Sequence, residues 1–310
     1  MKILITGGAG YLGSTMVWEM LQQGHFVRVV DNFFYKQDSL LPCCRFEKFE
    51  VIRGDVRDER LMKSALRDMD VIIPLACIVG APACDQDPVT ARGVNLDAIT
   101  MLLRLRSKAQ RIVFPCTNSG YGISATDIYC TEESPLRPIS LYGQLKVEAE
   151  RQILDAGNSV TFRLATVFGV SPRLRLDLLV NDFTYRAFHD RVIVLFEAHF
   201  QRNYVHVRDV SAAFIHVLQN FDRMVGQVYN FGLSDANLSK RELCEVIKEK
   251  IPNLQIIESE FGSDVDKRNY VVSNAKIEAT GLRASISVHE GVRELLKAFA
   301  IIWPNHYSNV

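Results

Sequence analysis

The sequence predicts an α/β protein with a Rossmann-type, doubly wound parallel sheet and a smaller C-terminal domain. Short apolar runs that suit buried strands alternate with segments of helical periodicity along the first half of the chain. The first strand passes through a glycine-rich turn into the first helix, and the second strand ends in an acidic residue. This combination is typical of sheets that bind a dinucleotide at their carboxyl edge.

Composition narrows the classes of partner. The 310 residues are 48% hydrophobic and carry a formal net charge of zero, which gives no electrostatic reason to expect nucleic acid or an anionic membrane surface. No apolar run has the length of a membrane span, and the chain starts in a strand without a signal peptide. The seven cysteines lack metal-ligand spacing. We expect free thiols, no metal and a cytoplasmic location.

Residues 6–13 form the glycine-rich turn, and residues 11–23 after it have apolar side chains at helical spacing. Gly7, Gly10 and Gly13 allow a tight turn in which backbone N–H groups come close to a phosphate. The helix N-terminus adds the positive end of its dipole. The turn therefore predicts a phosphate-binding site.

Asp31 ends the second predicted strand, 26–30, and lies 18 residues after Gly13. A carboxylate at about this distance (~20 residues) binds the hydroxyls of the adenosine ribose. It would also repel a 2′-phosphate, so the pattern predicts NAD rather than NADP. Asp31 could instead merely end a strand at the surface, but the order of strand, glycines and helix favours the cofactor.

The next two strands end in residues that suit the same ligand. Asp55 and Val56 follow the strand predicted at 49–52, where they could meet the amino group and the face of an adenine; an ordinary loop acid explains Asp55 equally well. The fourth predicted strand ends at Leu75 and Ala76, and small residues follow it. Small residues at this position let a cofactor lie close to the backbone.

Tyr142 and Lys146 lie one turn apart on the helix predicted at 141–154. A free tyrosine, with a pKa of about 10, is a poor base at neutral pH, but a nearby ammonium group favours the phenolate. The pair could take a proton from a substrate hydroxyl while a hydride leaves the carbon. Thr117, at the end of the fifth strand, would hold the same oxygen. An ordinary surface pair is the alternative; the position after five alternating strands favours catalysis.

Together these motifs resemble the extended short-chain dehydrogenases/reductases, the family of NAD-dependent nucleotide-sugar epimerases, dehydratases and dehydrogenases. The likeness continues through segments 163–169, 202–210, 228–232 and 266–268, and so covers nearly the whole chain. It implies two domains with the site in the cleft between them. An NAD-binding Rossmann domain would comprise 1–170 and 204–235, and a C-terminal substrate-binding domain for a nucleotide sugar would comprise 171–203 and 236–310.

The resemblance implies Tyr142 as the catalytic base or acid, Lys146 as the residue that tunes it and binds the nicotinamide ribose, and Thr117 as the partner of the reacting oxygen. The implied cofactor site consists of Gly7, Gly10, Tyr11, Leu12, Gly13, Asp31, Asn32, Asp55, Val56, Leu75, Ala76, Asn95, Tyr142 and Lys146.

The implied substrate site is rich in arginine. Arg202 and Arg268 would pair with the substrate diphosphate, because guanidinium groups match phosphate oxygens; surface ion pairs are the alternative. Further sugar and phosphate contacts would come from Asn118, Ser119, Arg173, Arg175 and Asn181. In this family the apolar helices near 96–106 and 144–155 pair subunits, so a homodimer is expected.

Departures from the family pattern reduce the number of reaction types that the sequence favours. The dehydratases carry Thr-Asp-Glu after the fifth strand, whereas this chain has Thr117, Asn118 and Ser119. An amide and a hydroxyl cannot supply the acid and base of an elimination. Ser119 also stands where enzymes that invert a carbon beside the keto group often have cysteine, which weakens the case for that type of epimerisation.

Segments 115–123 and 130–140 resemble the branch of the family that acts on GDP-heptose for capsule polysaccharide biosynthesis. This implies NAD-dependent oxidation of the C4 hydroxyl of GDP-D-glycero-α-D-manno-heptose to the 4-keto sugar. A nucleotide-sugar 4-epimerase or a 4-keto-sugar reductase with the same catalytic residues stays open. A non-catalytic NAD-binding sensor module is a third possibility, but such modules typically lack the tyrosine–lysine pair.

Overall fold

The computed structural model describes residues 1–123, 129–259 and 269–302. Its strands are β1 (Lys2–Thr6), β2 (Phe26–Asp31), β3 (Phe49–Arg53), β4 (Val71–Pro74), β5 (Arg111–Thr117), β6 (Tyr129–Cys130), β7 (Ser159–Leu164), β8 (Thr166–Phe168), β9 (Val192–Leu195), β10 (Gln201–His206), β11 (Val228–Phe231), β12 (Asn237–Ser239), β13 (Gln255–Glu258) and β14 (Val271–Val272).

The α-helices are α1 (Tyr11–Gln22), α2 (Glu59–Ala65), α3 (Ala81–Gln86), α4 (Pro88–Arg92), α5 (Ala98–Leu105), α6 (Leu141–Asp155), α7 (Leu179–His189), α8 (Val207–Met224), α9 (Lys240–Lys248), α10 (Ala275–Glu278) and α11 (Val288–Phe299). Shorter helical turns occupy Leu41–Arg45, Gly93–Asp97 and Asn118–Tyr121. Within the described ranges, no helix combines the length and the apolar character needed to cross a membrane.

Seven parallel strands form the main sheet in the order β11-β7-β5-β4-β1-β2-β3. The chain runs outward from β1 through β2 and β3 on one side, and then returns to β4 on the other. The strand order therefore reverses between β1 and β4, and ligands of such sheets bind in the crevice outside the carboxyl ends at this point. The predicted Rossmann-type, doubly wound parallel sheet is confirmed.

Helices cover both faces of this sheet, which explains why its strands are apolar throughout. In β1, Ile3 and Ile5 belong to the core on one face, together with Val17 of α1, whereas Leu4 belongs to the core on the other face, together with Leu145 of α6. All three β1 side chains have no exposed surface. The alternation follows from the two-residue period of a strand.

Smaller sheets follow the main one. Strand β10 pairs with β8 in parallel and with β12 in antiparallel orientation, and β9 pairs with β13. The antiparallel pairing of β10 with β12 places residues 201–203 opposite residues 237–239. The domain boundaries proposed from the sequence stay a prediction.

The apolar spacing of the sequence also predicts one helix from Asn95 and another over 238–251. The first begins in the wider helical turn Gly93–Asp97 and continues directly into α5. The helix expected at 238–251 begins only at Lys240, since Ser239 caps it: the Ser239 hydroxyl accepts the Glu242 N–H and the Glu242 carboxylate accepts the Ser239 N–H. All seven cysteines are free thiols, five of them buried.

Candidate active site

A cleft of about 600 Å³ opens at the carboxyl edge of the main sheet. It brings together most of the residues that the sequence singles out, although they come from distant parts of the chain. Those that line the cleft are Gly7, Gly10, Tyr11, Leu12, Gly13, Asp31, Asn32, Asp55, Val56, Leu75, Ala76, Thr117, Ser119, Tyr142, Lys146, Arg173, Arg175 and Arg202. Arg268 lies outside the described residues.

Two predicted ligand contacts hold the walls of the cleft and do not line it. Asn95 is buried; its Oδ1 accepts the Ile78 N–H at 2.8 Å and its Nδ2 donates to the Ile78 carbonyl at 2.9 Å, which fixes the loop after β4. The Asn181 Oδ1 accepts the Gly169 N–H at 3.0 Å, and its Nδ2 donates to the Arg175 carbonyl at 2.8 Å. Both amides are therefore positioned to orient loops that face a ligand.

Asn118 is the third predicted residue that does not line the cleft. Its side chain has no exposed surface, and neither amide atom has a hydrogen-bond partner in the described structure. Its neighbours behave differently: Thr117 Oγ1 donates to Ser119 Oγ at 2.8 Å and accepts the Ser119 N–H at 3.1 Å. The two hydroxyl groups of this triplet face the cleft, and the amide does not.

The glycine-rich turn is as tight as its sequence predicts. Gly7 has φ of 70°, and a Cβ there would lie 2.6 Å from the Ala76 nitrogen. A Cβ on Gly13 would lie 2.6 Å from the Gly7 carbonyl oxygen. Helix α1 starts after Gly10 without a side-chain cap and without an acidic residue in its first turn. Its first N–H groups are therefore available to an anion.

This packing predicts a large difference between two glycine variants with the same backbone strain. Gly7→Ala should lower the free energy of unfolding by about 3 kcal/mol, because the cost of a left-handed alanine and the cost of overpacking against Ala76 add together. Gly24→Ala is the matched control: φ is 81° and nothing lies within 4 Å of a Cβ there. We expect it to cost about 1 kcal/mol. Urea denaturation of both variants measures this; equal losses would contradict the close packing.

Two acids line the cleft at the carboxyl ends of β2 and β3. Asp31 is 7% exposed, and its carboxylate accepts the Ala9 N–H at 2.9 Å and the Phe33 N–H at 2.8 Å. Burial raises the pKa of Asp31 in spite of these bonds. Asp55 pairs with Arg57 through both oxygens, at 2.9 and 2.7 Å, and this pairing lowers the pKa of Asp55. The Asp55 carboxylate is thus occupied by Arg57, which also lines the cleft.

Tyr142 and Lys146 are on the first two turns of α6, which Ser140 caps by accepting the Gly143 N–H at 3.2 Å. Lys146 is 4% exposed, and its Nζ lies 3.9 Å from the centroid of the Phe114 ring on β5. A buried ammonium group over an aromatic face is held by a cation–π interaction. The Lys146 charge is therefore fixed inside the cleft, one turn from Tyr142.

Two further cationic side chains line the cleft, Arg202 on β10 and Lys240 at the start of α9. Arg202 of β10 is 1% exposed; its Nη1 donates to the Gln201 carbonyl at 3.0 Å, and its guanidinium lies 5.7 Å from the Tyr270 ring centroid. Lys240 is 3% exposed and its Nζ donates to the Phe196 carbonyl at 2.8 Å. The sequence did not single out Lys240, because its place beside Arg202 depends on the pairing of β12 with β10.

A family model described as the NAD dependent epimerase/dehydratase family matches residues 3–232. This chain belongs to that family. UDP-glucuronic acid decarboxylase 1 of Arabidopsis thaliana is 28% identical over 96% of this chain and 70% of its own length. The low-salt glycan biosynthesis protein Agl12 of Haloferax volcanii is 27% identical over 94% of this chain and 96% of its own. The structure of the Thermus thermophilus UDP-glucose 4-epimerase complex with NAD has a TM-score of 0.84 and 25% identity, covering 98% of this chain and all of that one.

The cofactor of this epimerase/dehydratase family member is NAD, and the residues present fit it. The turn at Gly7 and Gly13 is a cradle that a Cβ would fill, and α1 leaves its first N–H groups to an anion. Asp31 lies at the end of β2, where it could bind the adenosine ribose of the cofactor. No cluster of three or more His, Cys, Asp or Glu side chains in the described ranges could hold a metal ion.

The position of Asp31 predicts the cofactor preference. Asp31→Asn should raise the Kd for NAD about tenfold and lower the Kd for NADP, because the ribose loses a charged acceptor and the 2′-phosphate loses a repelling charge. Asp38→Asn is the control, since Asp38 is an exposed acid of the same loop. Calorimetric titration with both cofactors measures the ratio of the Kd for NAD to the Kd for NADP. An unchanged NAD-to-NADP preference would show that Asp31 only closes the strand.

Proposed function

We propose that this epimerase/dehydratase family member uses NAD to oxidise the C4 hydroxyl of a nucleotide-activated sugar, with GDP-D-glycero-α-D-manno-heptose as the substrate. The observation that carries the proposal is the shared cleft: Thr117, Tyr142 and Lys146 lie in it together with the glycine-rich turn, and Arg202 lies in it as well. The GDP-heptose substrate rests on the resemblance of segments 115–123 and 130–140.

In this proposal each residue has a defined task. When bound, NAD supplies the acceptor for the hydride that leaves C4. Tyr142 takes the proton of the C4 hydroxyl on its phenolate oxygen, and the buried ammonium of Lys146 stabilises that phenolate. The Thr117 hydroxyl binds the oxygen that becomes the ketone. Arg202 holds a phosphate of the substrate and so aligns the sugar.

The carboxylates in the cleft support oxidation without dehydration. Among the described lining residues they are Asp31, Asp55, Asp177 and Asp182. Asp31 ends β2 and Asp55 follows β3. Asp177 pairs with Arg175, and Asp182 pairs with Arg186. At the triplet after β5, where a dehydratase of this family carries its acids, the cleft meets only hydroxyl groups.

A 4-epimerase is the second candidate, supported by the likeness to the Thermus thermophilus UDP-glucose 4-epimerase. It would use the same residues, but the ketone would turn within the site and be reduced again from its other face. Decarboxylation of a nucleotide-linked uronic acid is a third outcome to include in the test, since several relatives are named UDP-glucuronic acid decarboxylases.

The deciding experiment incubates the purified protein with NAD and a panel of GDP- and UDP-sugars in deuterated water. The panel contains GDP-heptose and UDP-glucuronic acid. Release of a 4-keto GDP-heptose together with an equal amount of NADH supports the proposal. A sugar of unchanged mass with inverted C4 and no net NADH indicates an epimerase, and loss of carbon dioxide from UDP-glucuronic acid indicates a decarboxylase. Either result overturns the dehydrogenase.

A further inference from the structure

We propose that Arg173 and Arg175 bind the diphosphate of NAD, and that the segment 171–177 is the second wall of the cofactor pocket. The family resemblance implied these arginines as substrate contacts. The hydrogen bonds of the segment point to the cofactor, whose diphosphate it would contact beside the glycine-rich turn. The inference concerns cofactor binding alone and does not depend on which sugar is the substrate.

The segment is bonded directly to the start of α1. The Ser171 hydroxyl donates to the Tyr11 carbonyl at 2.6 Å and lies 3.0 Å from the Ser14 hydroxyl. The Arg173 N–H lies 3.3 Å from the Ser14 Oγ and donates to it. Just before the segment, the Tyr11 hydroxyl donates to the Gly169 carbonyl at 2.8 Å. Residue 173 is therefore held beside the first turn of the helix whose N–H groups face the cleft.

Arg173 also reaches the loop that follows the ribose-binding position. Its guanidinium lies 4.9 Å from the ring centroid of Tyr35, four residues after Asp31. Arg173 thus lies between the start of α1 and the loop after β2. In this fold the start of the first helix binds the diphosphate of a dinucleotide, and the end of the second strand binds its adenosine ribose. A side chain between these two segments is therefore close to the phosphates of the cofactor.

The charge of Arg175 acts on the same group of residues. It opposes the rise that burial causes in the pKa of Tyr11, Tyr35 and Cys77. These three residues come from the glycine-rich turn, from the loop after β2 and from the loop after β4, and all three line the cleft. Arg175 itself lines the cleft, within electrostatic reach of all three segments.

The electrostatics of the pair suit an anion. Arg173 is 5% exposed and Arg175 is 8% exposed. Asp177 pairs with Arg175 at 2.5 Å, and the Arg173 Nη1 donates to the Leu174 carbonyl at 2.7 Å. Burial and the neighbouring Arg175 charge lower the pKa of the Arg173 guanidinium. The positive charge at Arg173 is held at an electrostatic cost, and a bound diphosphate would offset that cost with bidentate hydrogen bonds.

Three probes separate the diphosphate from the rest of the cofactor: NAD, ADP and adenosine, each titrated calorimetrically against the full chain. Arg173→Ala should weaken NAD and ADP about tenfold or more, which is the usual cost of one charge-assisted hydrogen bond, and leave adenosine within twofold. Arg173→Gln keeps a shorter polar side chain with two N–H donors, and should weaken NAD and ADP less than Arg173→Ala does. Arg104→Ala removes an exposed arginine of α5 that pairs with Glu59 and does not line the cleft; it is the control for lost charge and should change none of the three.

Two outcomes overturn the inference. Unchanged NAD and ADP affinity in Arg173→Ala, with a raised KM for the nucleotide sugar, would return the arginine to the substrate site. An equal loss for NAD, ADP and adenosine would mean that Arg173 only supports the pocket. Because none of these titrations contains a nucleotide-sugar substrate, they are independent of the proposed oxidation.

Discussion

Replacing Tyr142 by phenylalanine should lower kcat by about 10²–10⁴-fold, the usual contribution of a positioned general acid or base. The variant keeps the ring of Tyr142 on α6 but loses the oxygen that accepts the substrate proton. NAD binding should persist, because the glycine-rich turn and Asp31 are unaffected. Single-turnover NADH formation measures the chemical step, and calorimetry measures the cofactor affinity.

The exposed Tyr129 provides the matched control, since its side chain lies on the surface with 57% of its area accessible. Tyr129→Phe should retain full activity. Turnover within twofold of wild type in Tyr142→Phe would exclude Tyr142 as the base.

Removal of Glu150 should lower the free energy of unfolding by about 3–5 kcal/mol, because it leaves a buried guanidinium without its counter-ion. Glu150 is 2% exposed and Arg163 is 7% exposed. The Glu150 carboxylate accepts the Arg163 Nε and Nη2 donors at 3.0 and 2.9 Å, and also the Thr161 hydroxyl at 3.1 Å. Urea denaturation of Glu150→Ala measures the loss.

Glu148→Ala is the control on the same helix. Glu148 forms an exposed pair with Arg151, and such pairs contribute about 0–1 kcal/mol. A loss in Glu150→Ala no larger than in Glu148→Ala would show that Arg163 finds other partners. The pair also supports the site, because the Arg163 Nη1 donates to the Tyr121 hydroxyl at 3.2 Å, and Tyr121 ends the turn that follows Thr117.

The sheet and its glycine-rich turn could be predicted because their causes are local. Parallel strands buried on both faces are apolar throughout, so runs such as β1 and β4 are visible in the sequence. Gly7 and Gly13 are required by contacts within one turn and with the adjacent strand end. The wider helical turn Gly93–Asp97 between α4 and α5 could not be predicted, because the apolar spacing continues through it.

The site residues also divide into those that local sequence predicts and those that depend on the tertiary structure. Tyr142 and Lys146 are linked by helical spacing, which the sequence shows directly. Asn95 and Asn181 were expected at the ligand, but their amides bind backbone atoms of loops far away in the chain, and only the tertiary structure supplies those partners. Lys240 was missed for a related reason, since it reaches the cleft through the register of β12 against β10.

The distribution of the thiols has a practical consequence for labelling. Only a thiolate reacts with alkylating reagents, and burial raises the pKa of Cys43 to about 11 and of Cys84 and Cys244 to about 12. Cys44 is the exposed one of the seven, and it lies on the turn Leu41–Arg45. A maleimide dye will therefore attach first at Cys44, without any engineered cysteine, on the segment that follows the Asp31 and Tyr35 loop. A fluorophore there offers an optical signal for cofactor loading.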